Sequence, residues 1–228
     1  MDRHLDTELL NLKQKLLNMA DLVENAIGIA IEGLLTEDAD KIAQVYEIEK
    51  KVNREHMTND EVCVRLIALH QPMATDLRFI VASIKINTDL ERMGDQAVNI
   101  ALNAERYIKD APLAPLKNLP ELREMCAEVR LMVRKVLDSF VSKNGAQAQE
   151  VLRHDDQVDA FKNKIFHMIS SVMKTGPQFI DQGLHLILIA RNLEKIGDHA
   201  SNIAEDVIYV ASGKDVRHPS LQQRFEPR

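Results

Sequence analysis

Glycine, proline and aromatic residues are scarce in this sequence. Among 228 residues there are 8 glycines and 7 prolines, aromatic side chains make up 4% of the total, and tryptophan is missing. Proteins built from short strands and tight turns use more of these residues. The scarcity therefore favours long helices, and a hydrophobic content of 45% is enough to bury one large core or two small ones.

Cysteine and long apolar runs are also nearly missing. Cys63 and Cys126 stand alone within helical patterns, so they form neither a metal-ligand spacing nor a disulfide framework, and we expect ordinary buried thiols in a reducing compartment. The longest apolar run, residues 186–190, is far shorter than the about 20 residues that span a bilayer. Residues 1–6 have mixed charge and no apolar signal region. These absences predict a soluble, cytoplasmic protein.

An excess of basic residues is missing too. The chain has 35 acidic residues against 29 lysines and arginines, which gives a net charge of −6. Non-specific binding to nucleic acid needs a basic surface. The composition therefore argues against nucleic acid as a partner.

Apolar residues recur every three or four positions through most of the chain, which is the pattern of amphipathic helices. Polar or proline-containing breaks divide each half of the sequence into three helices. We therefore predict an all-α protein made of two tandem three-helix bundles. The predicted divisions are a first bundle in residues 1–110, a proline-rich linker in 111–120, a second bundle in 121–213 and a polar tail in 214–228.

One stretch of sequence occurs twice. Residues 89–100 match residues 192–203 at an offset of 103, so that Glu91, Gly94 and Asp95 correspond to Glu194, Gly197 and Asp198. Like charges one turn apart cost a helix ~0.2–0.5 kcal/mol, and a glycine within a helix costs ~1 kcal/mol relative to alanine. Because both costs recur at matching positions, we infer an internal duplication with a shared role.

A second acidic pair lies on the middle helix of each predicted bundle. Glu49 and Asn53 occupy these positions in the first bundle, and Asp155 and Asp159 occupy them in the second, at an offset of 106. Counted from the turn of each predicted hairpin, the two pairs lie at the same height within about one helical turn. Each bundle can therefore bring together four oxygen-bearing side chains, which are the ligands that hard cations prefer. The rotation of the helices is left open.

The acidic pairs also have a plainer interpretation. A pair of acids one turn apart is usually a solvated helix face, and Arg92 and Lys195 are available as ion-pair partners. Glu24 on the first helix lies at the height of the first cluster, whereas its counterpart in the second half is Arg130, so the two bundles are not equivalent as sites. His185 and His199 are expected to be structural or exposed. The sequence contains no Glu-x-x-His pair, no phosphate-binding loop and no nucleophile–base constellation, so an enzyme is not expected.

Four segments resemble the PhoU family: residues 72–78 (Pro-Met-Ala-Thr-Asp-Leu-Arg), 85–95, 99–101 and 191–205. The resemblance extends from about residue 4 to residue 213. It implies two three-helix bundles related by a pseudo-twofold axis. It also implies a cytoplasmic, non-enzymatic negative regulator that silences phosphate-starvation genes and restrains phosphate uptake. The implied partners are the ATPase subunit of the phosphate ABC transporter and a sensor histidine kinase, so contact with the membrane would be through partners; a homodimer is left open.

The resemblance further implies metal ions, or multinuclear iron or zinc clusters, bound at Glu/Asp-x-x-x-Asp motifs. The predicted ligands in this sequence are Glu91 and Asp95, Asp155 and Asp159, Glu194 and Asp198. Glu49 departs from the motif, because Asn53 follows it where the family has Asp, so the first site should bind more weakly. The ion is expected to be divalent or trivalent, and the choice among Mg, Mn, Zn and Fe is left open.

The resulting hypothesis is a metal-binding adaptor that couples phosphate transport to two-component signalling. One alternative is a metal-dependent hydrolase or oxygenase that uses the acidic clusters. The other is a purely structural helical scaffold whose acids are surface charges.

Overall fold

The computed structural model describes residues 2–109, 113–117 and 119–213 of the chain, and within these ranges the regular structure is helical without any strand. This confirms the predicted all-α fold. The long helices are α1 (Asp2–Thr36), α2 (Ala39–His70), α3 (Ala74–Lys109), α5 (Pro120–Ser142), α6 (Gly145–Met173) and α7 (Ile180–Ser212), with a short α4 (Ala114–Lys117) and a 3-10 turn (Pro177–Phe179) between them. In the described ranges no helix has an apolar stretch that could cross a bilayer.

Local signals in the sequence explain where α2 and α6 begin. The carboxylate of Asp38 accepts a hydrogen bond from the backbone N–H of Lys41 at 3.0 Å. In the same way, the side chain of Asn144 accepts from the N–H of Gln147 at 3.1 Å. Each cap satisfies a donor that the first helical turn leaves unpaired. Helix α2 ends at His70, after which Gln71 adopts a left-handed conformation with φ of 46°.

The helices form two bundles that share one core. Helices α1, α2 and α3 pack on one another, as do α5, α6 and α7, while α3 packs along α7 and α1 contacts α5. The buried apolar residues form a single cluster across both groups. Phe79 and Phe140 stack between the bundles with ring centroids 4.9 Å apart.

Helices α3 and α7 run antiparallel at the centre of the molecule. His199 Nδ1 lies 2.9 Å from Asp89 Oδ1, and His185 Nδ1 lies 3.1 Å from Asn103 Oδ1. From the first contact to the second, the residue number rises by 14 on α3 and falls by 14 on α7, so the two helices run in opposite directions. The two copies of the repeated motif therefore lie at the same height, on either side of the contact between the bundles.

The described part of the predicted linker packs against the bundles. The Tyr107 hydroxyl donates to the carbonyl of Leu116 at 2.8 Å, and the N–H of Leu113 donates to Gln182 Oε1 at 3.0 Å. The side chains of Leu116 and Leu119 are buried. Residues 110–112 and 118, and the predicted polar tail at 214–228, lie outside the described residues.

Candidate functional site

A contact between a valine and a glycine fixes the rotation of the motif helices in each bundle. A Cβ added at Gly94 of α3 would lie 3.1 Å from Val52 Cγ1 of α2, and one added at Gly197 of α7 would lie 3.4 Å from Val158 Cγ1 of α6. The glycines therefore allow the two helices of each pair to approach closely. In the first bundle Asp95 directly follows the glycine and Asn53 directly follows the valine. In the second bundle Asp198 and Asp159 do the same. These polar side chains therefore lie at the edge of the contact between the helices.

The second bundle brings its four predicted carboxylates together. Lys162 of α6 joins the two helices, since its Nζ lies 2.6 Å from Asp159 Oδ1 and 2.8 Å from Glu194 Oε1. The Ser201 hydroxyl of α7 donates to Asp155 Oδ1 of α6 at 3.0 Å. Lys162 and Ser201, which the sequence did not single out, thus link α6 to α7 through the predicted ligands.

The carboxylates of this cluster repel one another. Burial, and then the charges of Asp159 and Glu194, raise the pKa of Asp155, while the hydrogen bond from Ser201 opposes that change. Burial raises the pKa of Asp198, and the charges of Glu194, Asp155 and Asp159 add to the effect. Hydrogen bonds to Asp159 and Glu194 raise the pKa of Lys162. The cluster therefore holds excess negative charge that one ammonium group only partly neutralises.

The first bundle assembles a related but less acidic cluster. The amide of Asn53 donates to Glu49 Oε1, so Asn53 meets its neighbour as a hydrogen-bond donor. Burial raises the pKa of Glu91, and the charges of Asp95 and Glu49 raise it further, whereas His56 and Arg92 lower it. All four predicted residues thus lie in one neighbourhood, with three carboxylates where the second bundle has four.

Two expectations about neighbouring charges are corrected by the structure. Glu24 does not join the first cluster, because its carboxylate pairs with Arg130 and Arg134 of α5 and so connects the two bundles. The cation that contacts Asp159 and Glu194 in the second bundle is Lys162 rather than Lys195, which the plainer interpretation offers as a partner. Arg92 acts on Glu91 as a nearby positive charge, as expected.

The two histidines near the second motif have the structural positions that the sequence suggested. His199 points away from the acidic cluster and hydrogen-bonds with Asp89 of the other bundle, where both side chains are largely buried. His185 contacts Asn103 across the same interface. An ion pair of 2.8 Å between Lys85 and Asp206 adds to this polar seam between the bundles.

The donor set of the second cluster suits a hard cation, because it consists of carboxylate oxygens from two helices. Its oxygens are spread more widely than the first shell of a single ion. Within the described ranges, only His4, Glu8 and His70 bring three potential ligand atoms within 4.8 Å of one another. An ion at the second cluster would therefore draw the carboxylates inward and displace the Lys162 ammonium, which now lies between Asp159 and Glu194.

A groove between α6 and α7 adjoins this cluster. Its lining combines polar and apolar side chains, namely Lys162, Asn163, Phe166, Ile187, Ala190, Arg191 and Glu194. Phe166 is 48% exposed, a large value for an aromatic side chain. The groove therefore places an accessible aromatic ring beside the acidic cluster.

Comparison with known proteins relates both bundles to one family. The model described as the PhoU domain matches residues 16–104 and matches again at residues 122–207. The chain belongs to the PhoU family. The two matches fall on the two bundles and confirm the predicted duplication.

Relatives and solved structures of this family agree with the chain over nearly its full length. The Pseudomonas aeruginosa relative, a phosphate-specific transport system accessory protein PhoU homolog, is 35% identical over 226 residues, covering 99% of this chain and 93% of the relative. The accessory protein PhoU of Serratia marcescens is 34% identical over 213 residues, covering 93% and 86%.

Crystal structures of two family members share the fold. PhoU from Pseudomonas aeruginosa superimposes with a TM-score of 0.87 at 35% identity, covering 92% of this chain and 99% of that one. The phosphate transport system regulatory protein PhoU from Streptococcus pneumoniae gives a TM-score of 0.86 at 27% identity, covering 93% and 99%. The pair of duplicated three-helix bundles is thus the architecture of the family.

Proposed function

We propose that this protein is a cytoplasmic regulator of phosphate transport that acts by binding other proteins rather than by catalysis. The main support is the match to phosphate-specific transport system accessory proteins over both bundles. A regulator of a transporter must reach it at the membrane, and we propose that this protein does so through its partners, since the described chain offers no segment for crossing a bilayer.

The proposed partners are the ATPase subunit of a phosphate ABC transporter and a sensor histidine kinase. Binding to the first would restrain phosphate uptake, and binding to both would keep phosphate-starvation genes silent while phosphate is plentiful. The duplicated architecture supports an adaptor of this kind, because each bundle presents an acidic cluster beside its motif helices. A second copy of this chain is a further candidate partner.

We further propose that the acidic clusters bind divalent or trivalent cations such as Mg, Mn, Zn or Fe. Asp155, Asp159, Glu194 and Asp198 would hold the ion in the second bundle. The raised pKa values of Asp155 and Asp198 support this assignment, because a bound cation would offset both the burial and the mutual repulsion that raise them. The weaker site would be Glu49, Asn53, Glu91 and Asp95, where an amide takes the place of one carboxylate.

The regulatory proposal is tested with a reporter gene under a phosphate-starvation promoter, measured in cells grown in high phosphate. Deletion of this protein should leave the reporter switched on and should raise intracellular phosphate or polyphosphate. Full repression in the deletion strain would contradict the proposed function.

A double variant separates the acidic clusters from the rest of the function. Glu91→Ala combined with Glu194→Ala, in a protein whose helical content is unchanged, should reproduce part of the deletion phenotype. Full repression in this strain would separate the clusters from signalling while leaving the regulatory role in place. Turnover of a phosphoester or of dioxygen by the purified protein would instead favour the enzyme alternative.

A further inference from the structure

Three side chains far from the acidic clusters converge at one end of the first bundle. His4 and Glu8 lie one turn apart on α1 and therefore on one face of that helix. His70 is the last residue of α2 and reaches the same point from the neighbouring helix. The three potential ligand atoms all lie within 4.8 Å of one another, a grouping found nowhere else in the described residues.

Glu8 lies between the two imidazoles. His70 Nε2 is 3.0 Å from Glu8 Oε2, and His4 Nε2 is 3.6 Å from Glu8 Oε1. The two rings meet edge to face with centroids 5.7 Å apart. Both imidazoles thus direct Nε2 toward the same carboxylate.

The three ligand atoms lie within 4.8 Å of one another, so rotations of the side chains would bring them to the spacing of a zinc site. Ligand bonds of 2.0–2.1 Å in a tetrahedral site place neighbouring ligand atoms about 3.3 Å apart. The distance from His70 Nε2 to Glu8 Oε2 is 3.0 Å and that from His4 Nε2 to Glu8 Oε1 is 3.6 Å, so each imidazole lies near that separation from one oxygen of the carboxylate. Two imidazole nitrogens and one carboxylate oxygen are also a ligand set that zinc uses when it keeps its fourth position open.

The three side chains differ in their exposure to solvent. The side chains of Glu8 and His70 are 21% exposed, whereas His4 is 77% exposed. An ion would therefore be held by two largely buried ligands and one exposed ligand, with water at the remaining position. The position of His70 at the C-terminal end of α2 also favours a cation, because the helix dipole is negative there.

We propose that His4, Glu8 and His70 form a zinc site that fastens the first two turns of α1 to the end of α2. This site is separate from the carboxylate clusters in position and in ligand chemistry, because two of its three ligands are imidazoles. A bound zinc ion would cross-link the start of α1 to the last residue of α2, directly before the turn that leads into α3. It would also hold the α2–α3 corner in place.

The test uses the untagged, full-length protein after removal of metal with a chelator, because a histidine tag would bind the same ion. Zn²⁺ binding is measured by titration calorimetry in wild type, His70→Gln and His4→Gln. The matched control is His167→Gln, which removes an exposed histidine of α6. The acidic clusters remain intact in all four proteins, so differences among them report on the histidines alone.

Wild type and His167→Gln should share a Zn²⁺ site whose dissociation constant rises at least about tenfold in His70→Gln, as even changes outside the ligand shell cost 10–100-fold in affinity. His4→Gln should weaken the same site. In wild type, Zn²⁺ should shift the imidazole NMR signals of His4 and His70 together. Unchanged binding in both variants, or Zn²⁺ signals confined to other residues, would overturn the proposal and leave Glu8 as an ordinary ion-pair partner. The NMR result decides the question even if a variant folds poorly.

Discussion

The two bundles share one fold, yet the charges between their motif helices differ. The second bundle has the carboxylates of Asp155, Asp159, Glu194 and Asp198, together with the ammonium group of Lys162. The first bundle has three carboxylates and the amide of Asn53. At the position equivalent to Lys162, 106 residues earlier, it has His56, whose positive charge lowers the pKa of Glu91.

This difference shows that a duplicated fold can keep its packing while its charges change. A lysine is charged throughout the physiological pH range, so the second cluster always contains one positive group. The first bundle has an imidazole at that position instead of an ammonium group. The packing of a valine side chain on a glycine is kept in both bundles, while the charges of the side chains around it differ.

The largest expected effect is on metal affinity. Asp198→Asn removes a charged oxygen from the second cluster and should weaken Mn²⁺ binding there by at least about tenfold, given that changes outside the ligand shell already cost 10–100-fold. Asp95→Asn is the matched change in the first bundle and should have a smaller effect. The measurement is the Mn²⁺-dependent rise in melting temperature, which follows the affinity of the folded state. Equal losses in the two variants would contradict the proposed ranking of the clusters.

Removal of the Lys162 ammonium group should have smaller effects, lowering stability without metal and raising the affinity for metal. Without metal, Lys162→Gln should lower the free energy of unfolding by up to ~1 kcal/mol, because its two partners are partly exposed. With Mn²⁺ present, the same variant should bind the ion more tightly, since the ammonium no longer competes for Asp159 and Glu194. His56→Gln is the matched control. The proposed competition would be wrong if Lys162→Gln bound Mn²⁺ more weakly than wild type.

The pH dependence of stability should also separate the clusters. Because the pKa values of Asp155 and Asp198 are raised in the folded protein, the folded state binds protons more tightly than the unfolded state. The contribution of these two groups to metal-free stability should therefore be fully present below the ordinary aspartate pKa of about 4. It should then decline as pH rises through the higher folded values. Asp155→Asn with Asp198→Asn should flatten that decline, as followed by urea midpoints across this range.

Glu91→Gln is the corresponding change in the first bundle. The pKa of Glu91 is raised as well, but its neighbours include the opposing charges of His56 and Arg92. The variant should remove a smaller part of the decline than the double change in the second bundle. If neither change altered the pH profile, the repulsion within the clusters would be weaker than the structure indicates.

The fold and the composition of each cluster followed from the sequence because they depend on local patterns. Apolar spacing predicts helices, and counting residues from each turn places the acidic pairs at one height. Helix rotation does not follow from such counts. It depends on the packing of Gly94 on Val52 and of Gly197 on Val158, which only the three-dimensional arrangement shows.

Contacts between distant parts of the chain could not be predicted in this way. Its height on α1 places Glu24 near the first cluster, but its carboxylate forms ion pairs with Arg130 and Arg134 of the other bundle. His4 and Glu8 have a helical spacing, yet nothing in the sequence indicates that His70 joins them. Lys162 could have been suggested, because it follows Asp159 by three residues and so shares its helix face.

The smallest expected effect compares the two motif glycines directly. Replacing a glycine within a helix by alanine gains up to ~1 kcal/mol if the methyl group fits. At Gly197 the new Cβ would lie 3.4 Å from Val158 Cγ1, an ordinary contact, so Gly197→Ala should raise the free energy of unfolding toward that limit. At Gly94 the distance is 3.1 Å, so Val52 must shift, and Gly94→Ala should gain less or lose stability. Urea unfolding of the two variants measures the difference. A larger gain at Gly94 than at Gly197 would show that the helices of the first bundle are the less tightly packed pair.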